Sequence, residues 1–299
     1  MREPPSWSFC GACNIPRPMT AIVVTPKTLE RRYRAATKNL FDLVETRTNR
    51  LAPDGVHDVR ITVRRIQVIR KLLPKRVRKV GGARRFDSDI EKLLGATSGM
   101  RDVDTVLSVL DPYREALPKE LFDELVEERK TEAKGARAVM DAILRRKPPA
   151  FERTSVSRKQ ISSRAKRMIR KRRRAVEASM FKVLSDEGRV KELHRLRIEM
   201  REMRYVMELV KNRAEERDVL ADWQEALGRI HDLDMAIACL KKRGLEQSEL
   251  ASRLVRQRHL GYFRFANQFG SLSHEVRRET GGPAGPLTLI PDLEDRLPR

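Results

Sequence analysis

The sequence predicts an all-α fold built by internal duplication. Three observations point there. Leu, Val, Ile and Met recur among Arg, Glu and Lys at helical spacing over residues 27–278, and runs that alternate apolar with polar side chains are scarce. The pattern H-x-x-R-x-x-x-R occurs at His57, Arg60 and Arg64, and again at His194, Arg197 and Arg201, 137 residues further on. Its neighbours repeat in the same order: the triplet Arg31, Arg34, Lys38 precedes the first copy and Arg167, Arg170, Arg174 the second, while Asp102-Val103-Asp104 and Asp232-Leu233-Asp234 follow. Chance is a poor account of three features recurring in one order.

Breakers divide the chain into helices. Pro53-Asp54-Gly55 separates helices expected near 28–51 and 56–73, and Pro74 with Gly81-Gly82 ends the second and opens one near 82–97. A helix near 101–110 stops at Pro112, and Pro118 precedes a longer one near 119–145. Pro148-Pro149 divides the two copies. The second copy then reads as helices near 158–187, 190–211, 215–228, 231–243 and 246–274, with Gly188 and Gly244 among the breaks. Residues 1–26 contain Pro4, Pro5 and Pro16 without periodicity and are expected to be a disordered lead; residues 279–299, rich in proline and glycine, are expected to be a disordered tail. The expected halves are 27–147 and 158–278.

Charge bounds the partner. The 299 residues carry 64 Lys+Arg against 42 Asp+Glu, a net +22, which points to an anionic partner. Hydrophobic residues make up 40%, enough for a core at this length, and aromatics only 5%, too few for a stacking platform on single strands. Three cysteines argue against a disulfide framework and for a reducing, cytoplasmic compartment. No run of 18 apolar residues marks a membrane span, and the amino terminus lacks a signal-peptide core. The charge is also segregated. Residues 158–174 hold ten bases and no acid, whereas 115–132 hold seven acids and three bases.

The duplicated rows carry the functional argument. Offsets 0, +3 and +7 share one helix face, so His57, Arg60, Arg64 and, further along, Lys71 line one side, with Val59, Val63, Ile66 and Leu73 near the other. His194, Arg197 and Arg201 repeat the arrangement in less clean form. Arginine suits phosphate because its planar fork donates two hydrogen bonds and stays charged. Guanidiniums one turn apart, ~5.4 Å, suit a repeating anion. The bland alternative is an ordinary solvated basic face. The histidines have two readings, as donors to phosphate or as groups held by aspartates such as Asp104 and Asp234. No second histidine or cysteine sits at i+3 or i+4, so no metal is expected. The D-x-D pairs are read as holding arginines or capping helices rather than as a metal-dependent phosphoryl-transfer site. Cys10 and Cys13 form a lone C-x-x-C without the further ligands of a zinc site or the context of a redox fold. The basic run 158–174 is read as the first helix of the second half, not as a nucleic-acid patch.

The two H-x-x-R-x-x-x-R helices, the segment Leu193-His194-Arg195-Leu196-Arg197-Ile198 continuing to Arg204-Tyr205, and Leu227-Gly228-Arg229-Ile230-His231-Asp232-Leu233-Asp234 together resemble the CHAD domain, the conserved histidine α-helical domain. The resemblance implies two pseudo-symmetric four-helix bundle halves and a basic surface or cavity that binds inorganic polyphosphate, with association to polyphosphate granules. Carried onto this chain, it implies ligand contacts from His57, Arg60, Arg64, Arg65, Lys71, His194, Arg197, Arg201 and Arg204, flanked by Arg31, Arg34, Lys38, Arg167, Arg170 and Arg174. Departures are Glu202 where the first copy has Arg65, Met200 in place of a small residue, Gln67 where the second copy has Arg204, and a longer segment before Asp102. There is no E-x-E-x-K strand of a triphosphate-tunnel domain, so the resemblance brings no hydrolase. The expectation is a non-enzymatic, cofactor-free binder of inorganic polyphosphate, with weak nucleic-acid binding as a side property, no membrane association, and nucleic-acid binding as the alternative function.

Overall fold

The computed structural model describes residues 22–47, 51–79, 82–146, 148–149, 156–210 and 213–280; among them there is no strand. The lone C-x-x-C and most of the expected lead and tail lie outside the described residues.

Helix α1 (Pro26–Arg47) packs along α2 (Pro53–Leu72). Before α1, Val24 is fully buried and its backbone exchanges hydrogen bonds with the Ser162 hydroxyl, so the end of the expected lead is tied to the second half. Pro53 opens α2, where a missing N–H is harmless, and Asp54 faces the positive end of the helix dipole. Its apolar stripe, Val56, Val59, Val63, Ile66 and Ile69, is buried, and Pro74 follows its end. A short α3 (Lys75–Arg78) leads to α4 (Ala83–Ala96), which starts at Gly82 with φ +57°. Helix α5 (Ser98–Leu110) continues after Thr97, and a 3-10 turn over 111–116 leads to α6 (Lys119–Leu144).

The second half opens with α7 (Arg158–Ser185), started by a capping box in which the Ser157 hydroxyl accepts from Gln160 N and the Gln160 side chain accepts from Ser157 N. Helix α8 (Val190–Met207) packs on α7, α9 (Ala214–Lys242) packs on α8, and α10 (Glu249–Thr280) packs on α9. The expected division of α9 into 215–228 and 231–243 does not occur. Gly228 lies inside one continuous helix, where a single glycine costs about 1 kcal/mol but removes no hydrogen bond. In the first half the corresponding stretch is broken at Thr97, and the three extra residues before Asp102 lie at that break.

The halves are not separate bodies. One apolar cluster runs from Val24 and Leu29 through Val63, Ile66 and Leu93 to Ile169, Leu196, Met203 and Phe265. A second joins α5 and α6 to α9 and α10 through Val103, Leu110, Phe122, Ala236 and Leu254. Contacts of α2 with α8 and of α5 with α9 therefore bring the two histidine–arginine rows and both D-x-D segments to the centre of the molecule.

Candidate polyanion-binding cleft

Helices α2 and α8 each expose one edge toward a cleft of about 230 Å³ lined by Arg60, Arg64, Lys71, Arg201, Glu202 and Tyr205, with Gln67, Val68 and Leu94 completing its walls. Arg101 of α5 and Arg197 of α8 do not line the cleft but lie beside it, both close enough to act on Arg64, and Arg101 acts on Arg60 and Arg197 as well. Among the described residues Arg64, Arg101, Arg197 and Arg201 have no side-chain hydrogen bond and no ion pair. Arg197 Nε is buried without a partner, and its guanidinium lies over Gly228 of α9, with Nε 3.8 Å from where a Cβ would stand.

Electrostatics follow from this crowding. Burial, then Arg64, holds Arg201 down at about 10. Burial, then Arg64, brings Arg60 to about 10, with Asp102 opposing. Arg64 and Arg197 are lowered for the same reasons, burial first. A nearby anion would reverse these shifts, because it favours the charged guanidinium.

Arg60 differs from its counterpart Arg197. One terminal nitrogen donates to Leu94 O at 2.6 Å and to Thr97 Oγ1 at 3.0 Å. The broken α4–α5 junction exposes that carbonyl, and Arg60 caps it. The continuous α9 offers Arg197 no such acceptor.

The histidines gather at the α5/α9 side of the rows. His194 and His231 lie with ring centroids 4.7 Å apart. Desolvation and then Arg197 push His231 down to about 4, and desolvation lowers His57 and His194 as well, with Arg101 and Arg197 respectively adding to it. All three are therefore neutral near pH 7 and can donate to a phosphate oxygen without charge. Asp102 and Asp232 border the same region. Desolvation raises both, opposed first by Arg60 and by Arg197 respectively.

The second aspartate of each pair does something else. Asp104 is paired with Arg129 of α6, which also donates to Leu51 O at 2.6 Å. Asp234 pairs with Arg258 of α10 at 3.0 Å, and Arg258 donates to Glu187 O at 2.6 Å. Each arrangement clamps the chain just before a histidine–arginine helix. Leu51, with φ 43° the one non-glycine residue of positive φ among the described residues, is held by this clamp. Neither Asp104 nor Asp234 holds a row histidine.

The remaining sequence-derived candidates scatter. Arg65 is turned from the cleft and pairs with Glu208 at 2.9 Å. Lys71 lines the cleft but pairs with Glu202 at 3.3 Å. Arg204 stacks on the Tyr205 ring, 5.4 Å from its centroid. Arg31, Arg34 and Lys38 are exposed on α1, Arg34 bonded to Glu30, and Arg167, Arg170 and Arg174 are exposed on α7; none of the six lines the cleft. Arg101 and His231 were not singled out as ligands from sequence. Both occupy the position just before the D-x-D pair, and that equivalence was the available signal. Among the described residues no three His, Cys, Asp or Glu side chains converge to hold a metal ion, and no helix is long and apolar enough to cross a membrane.

An all-helical protein built around a basic cleft is thus defined by fold and charge together. The CHAD domain matches residues 27–241, and the chain belongs to the CHAD family. Among solved structures, the crystal structure of the CHAD domain from the plant Ricinus communis superposes with a TM-score of 0.50 at 19% identity, over 90% of this chain and 95% of that one. No curated protein matches the chain.

Proposed function

We propose that the protein binds inorganic polyphosphate in the central cleft, without a catalytic step, and does so in the cytoplasm at polyphosphate granules. The observation that carries this reading is the set of four crowded arginines, Arg64, Arg101, Arg197 and Arg201, left without partners while most of their neighbours are paired. Crowding like charges at the contact of α2 with α8 costs stability unless an anion fills it. A polymer of closely spaced phosphates answers all four at once, and the neutral histidines beside them add donors. The matching Asp104–Arg129 and Asp234–Arg258 clamps support an origin of the two halves by duplication.

Binding is then dominated by release of counterions. The test is titration with long-chain polyphosphate and with duplex DNA at about 0.15 M and at higher salt, where the Debye length shrinks from ~8 Å toward 3 Å. The expected result is polyphosphate binding that persists at the higher salt and is weakened at least tenfold in Arg64→Gln/Arg201→Gln, since each charge-assisted hydrogen bond contributes ~1.5–3 kcal/mol. Equal binding by the double variant sinks the reading.

A second reading, nucleic-acid binding, is favoured by one observation. The outer face of α7 exposes Arg158, Lys159, Lys166, Arg167, Arg170, Lys171 and Arg174 with no acid between them. A nucleic acid would bind there electrostatically. Lys166→Glu/Arg170→Glu should then abolish DNA binding and leave the cleft's polyphosphate affinity largely intact.

A further inference from the structure

One residue of the cleft has the wrong charge for an anion site. Glu202 lines it next to Arg201, at the position where the first row carries Arg65. Its two oxygens point to different helices. Oε1 accepts from Lys71 Nζ of α2 at 3.3 Å, and Oε2 is paired with Arg172 of α7. Arg172 is also held by Glu199 at 2.8 Å. The Lys71 side chain is 45% exposed, so its end of the tie lies within reach of an incoming polymer, whereas Glu202 Oε2 is buried against Arg172.

The positive charge therefore falls into two sets. Arg64, Arg101, Arg197 and Arg201 are unpartnered and always available. Lys71 is tied to Glu202, and Arg172 is held by both Glu202 and Glu199. Lys71 lies seven residues beyond Arg64, about 10 Å along α2. A short anion seated among the four arginines does not extend that far. A long chain does, and as it arrives it competes with Glu202 for Lys71.

We propose that Glu202 sets the chain-length selectivity of the cleft: long-chain polyphosphate displaces this carboxylate from Lys71 and takes over that cation, whereas a triphosphate-sized ligand leaves the pair in place. The inference rests on the polyphosphate reading above. Glu202 acts as an internal competitor, so every long-chain binding event includes breaking its ion pair with Lys71. Pairs of this exposure are individually weak, and a polymer can compete them off.

The test uses the full chain and Glu202→Gln, which keeps the side chain's shape and removes its charge. Affinities for long-chain polyphosphate and for inorganic tripolyphosphate are measured across a salt series. The expected result is a roughly two- to fivefold gain for the long chain, the range set by freeing one partly exposed pair. The log K against log salt plot should steepen by up to about one, because the carboxylate displaced in wild type takes up a counterion and glutamine does not. Tripolyphosphate affinity should stay unchanged. Lys71→Ala in the Glu202→Gln background should erase most of the gain. Glu225→Gln, at an exposed carboxylate paired only with Arg229 of its own helix, changes the net charge equally and should do nothing. An equal gain for both ligands, the same gain from Glu225→Gln, or a gain that survives loss of Lys71 overturns the inference. If wild type binds long-chain polyphosphate and Glu202→Gln leaves it unchanged, Glu202 alone loses its role. If wild type binds neither ligand, the functional reading falls and takes the inference with it.

Discussion

Replacing Arg201 by methionine should make the free protein more stable and a worse binder. Burial and the neighbouring Arg64 bring Arg201 down from its ordinary value to about 10. A base whose folded value lies below its unfolded value destabilises the fold at every pH under the folded one, so the full penalty is present at neutral pH and is relieved only above about pH 10. Each unit corresponds to 1.36 kcal/mol, so a ceiling of roughly 3 kcal/mol follows. Arg201 keeps some solvent contact and its neighbours can rotate, so a realistic release is ~1 kcal/mol, which raises Tm by about 2–4 °C in a chain of this size class. Methionine keeps the length and the packing of the stem and removes the charge. Binding should move the other way, weakening roughly ten- to a hundredfold through loss of a charge-assisted contact to phosphate. Thermal melts with and without long-chain polyphosphate test both halves together, because a ligand that binds only the folded state raises Tm by mass action. The variant should melt above wild type without ligand and below it with saturating ligand. A variant that melts below wild type in buffer, or one that polyphosphate stabilises as much as wild type, refutes the idea that the cleft holds strained, unsatisfied charge for an anion.

The other predictions concern pH and the clamps. His231 is pushed down to about 4, so from pH 6.5 toward 4 the unfolded chain takes up a proton that the folded one refuses, and stability falls over that window. His231→Gln should match wild type at pH 7.5 and lose ~1–2 kcal/mol less between pH 6.5 and 4.5, read from melts across pH; parallel curves would contradict it. Asp104→Ala strips the carboxylate from Arg129, whose side chain is 19% exposed, and should cost about 3 kcal/mol, toward the lower end for an orphaned buried cation. Urea denaturation measures it, and a loss under 1 kcal/mol would mean the clamp does not hold the start of α2. The same variant, kept below its melting range, should bind polyphosphate with affinity close to wild type.

Local periodicity made the two rows legible. His57, Arg60 and Arg64 sit on one helix edge because 3 and 7 residues return to the same side, and nothing outside the segment is needed to see it. The same holds for α6 and α7, expected near 119–145 and 158–187 from Pro118, Pro148-Pro149 and Gly188 and found at Lys119–Leu144 and Arg158–Ser185. The break expected after Gly228 failed because glycine in a helix is penalised, not forbidden, and packing against α5, α8 and α10 outweighs it. Partners distant in sequence were illegible. Nothing near Arg65 announces Glu208, 143 residues away, and nothing near Lys71 announces Glu202, 131 residues away. Spacing alone could not separate arginines that face the cleft from those that neutralise a carboxylate across a helix contact. Lys71, Arg65 and the α1 and α7 triplets shared the composition of a ligand row without lying in the cleft unpaired.

That separation is itself the strongest argument from the structure. In a chain carrying +22, any arginine within reach of a carboxylate should find one, and many here do: Arg70 with Asp87, Arg129 with Asp104, Arg172 with Glu199, Arg258 with Asp234. Asp102 and Asp232 lie close enough to Arg60 and Arg197 to act on their charge, yet neither makes an ion pair with them. The centre is thus held positive against available compensation, by helices whose starts are clamped through Asp104 and Asp234. A stable fold gains nothing from that arrangement by itself. It gains when a ligand supplies the missing charge, and the stability given up in the empty cleft then reappears as preference for an anion that engages several arginines at once. A single phosphate relieves one arginine and leaves the rest crowded, whereas linked phosphates relieve them together after one loss of translational freedom. The cleft should therefore discriminate by the number of linked charges more sharply than by total phosphate, and orthophosphate should fail to displace polyphosphate even when the two are matched in phosphorus content.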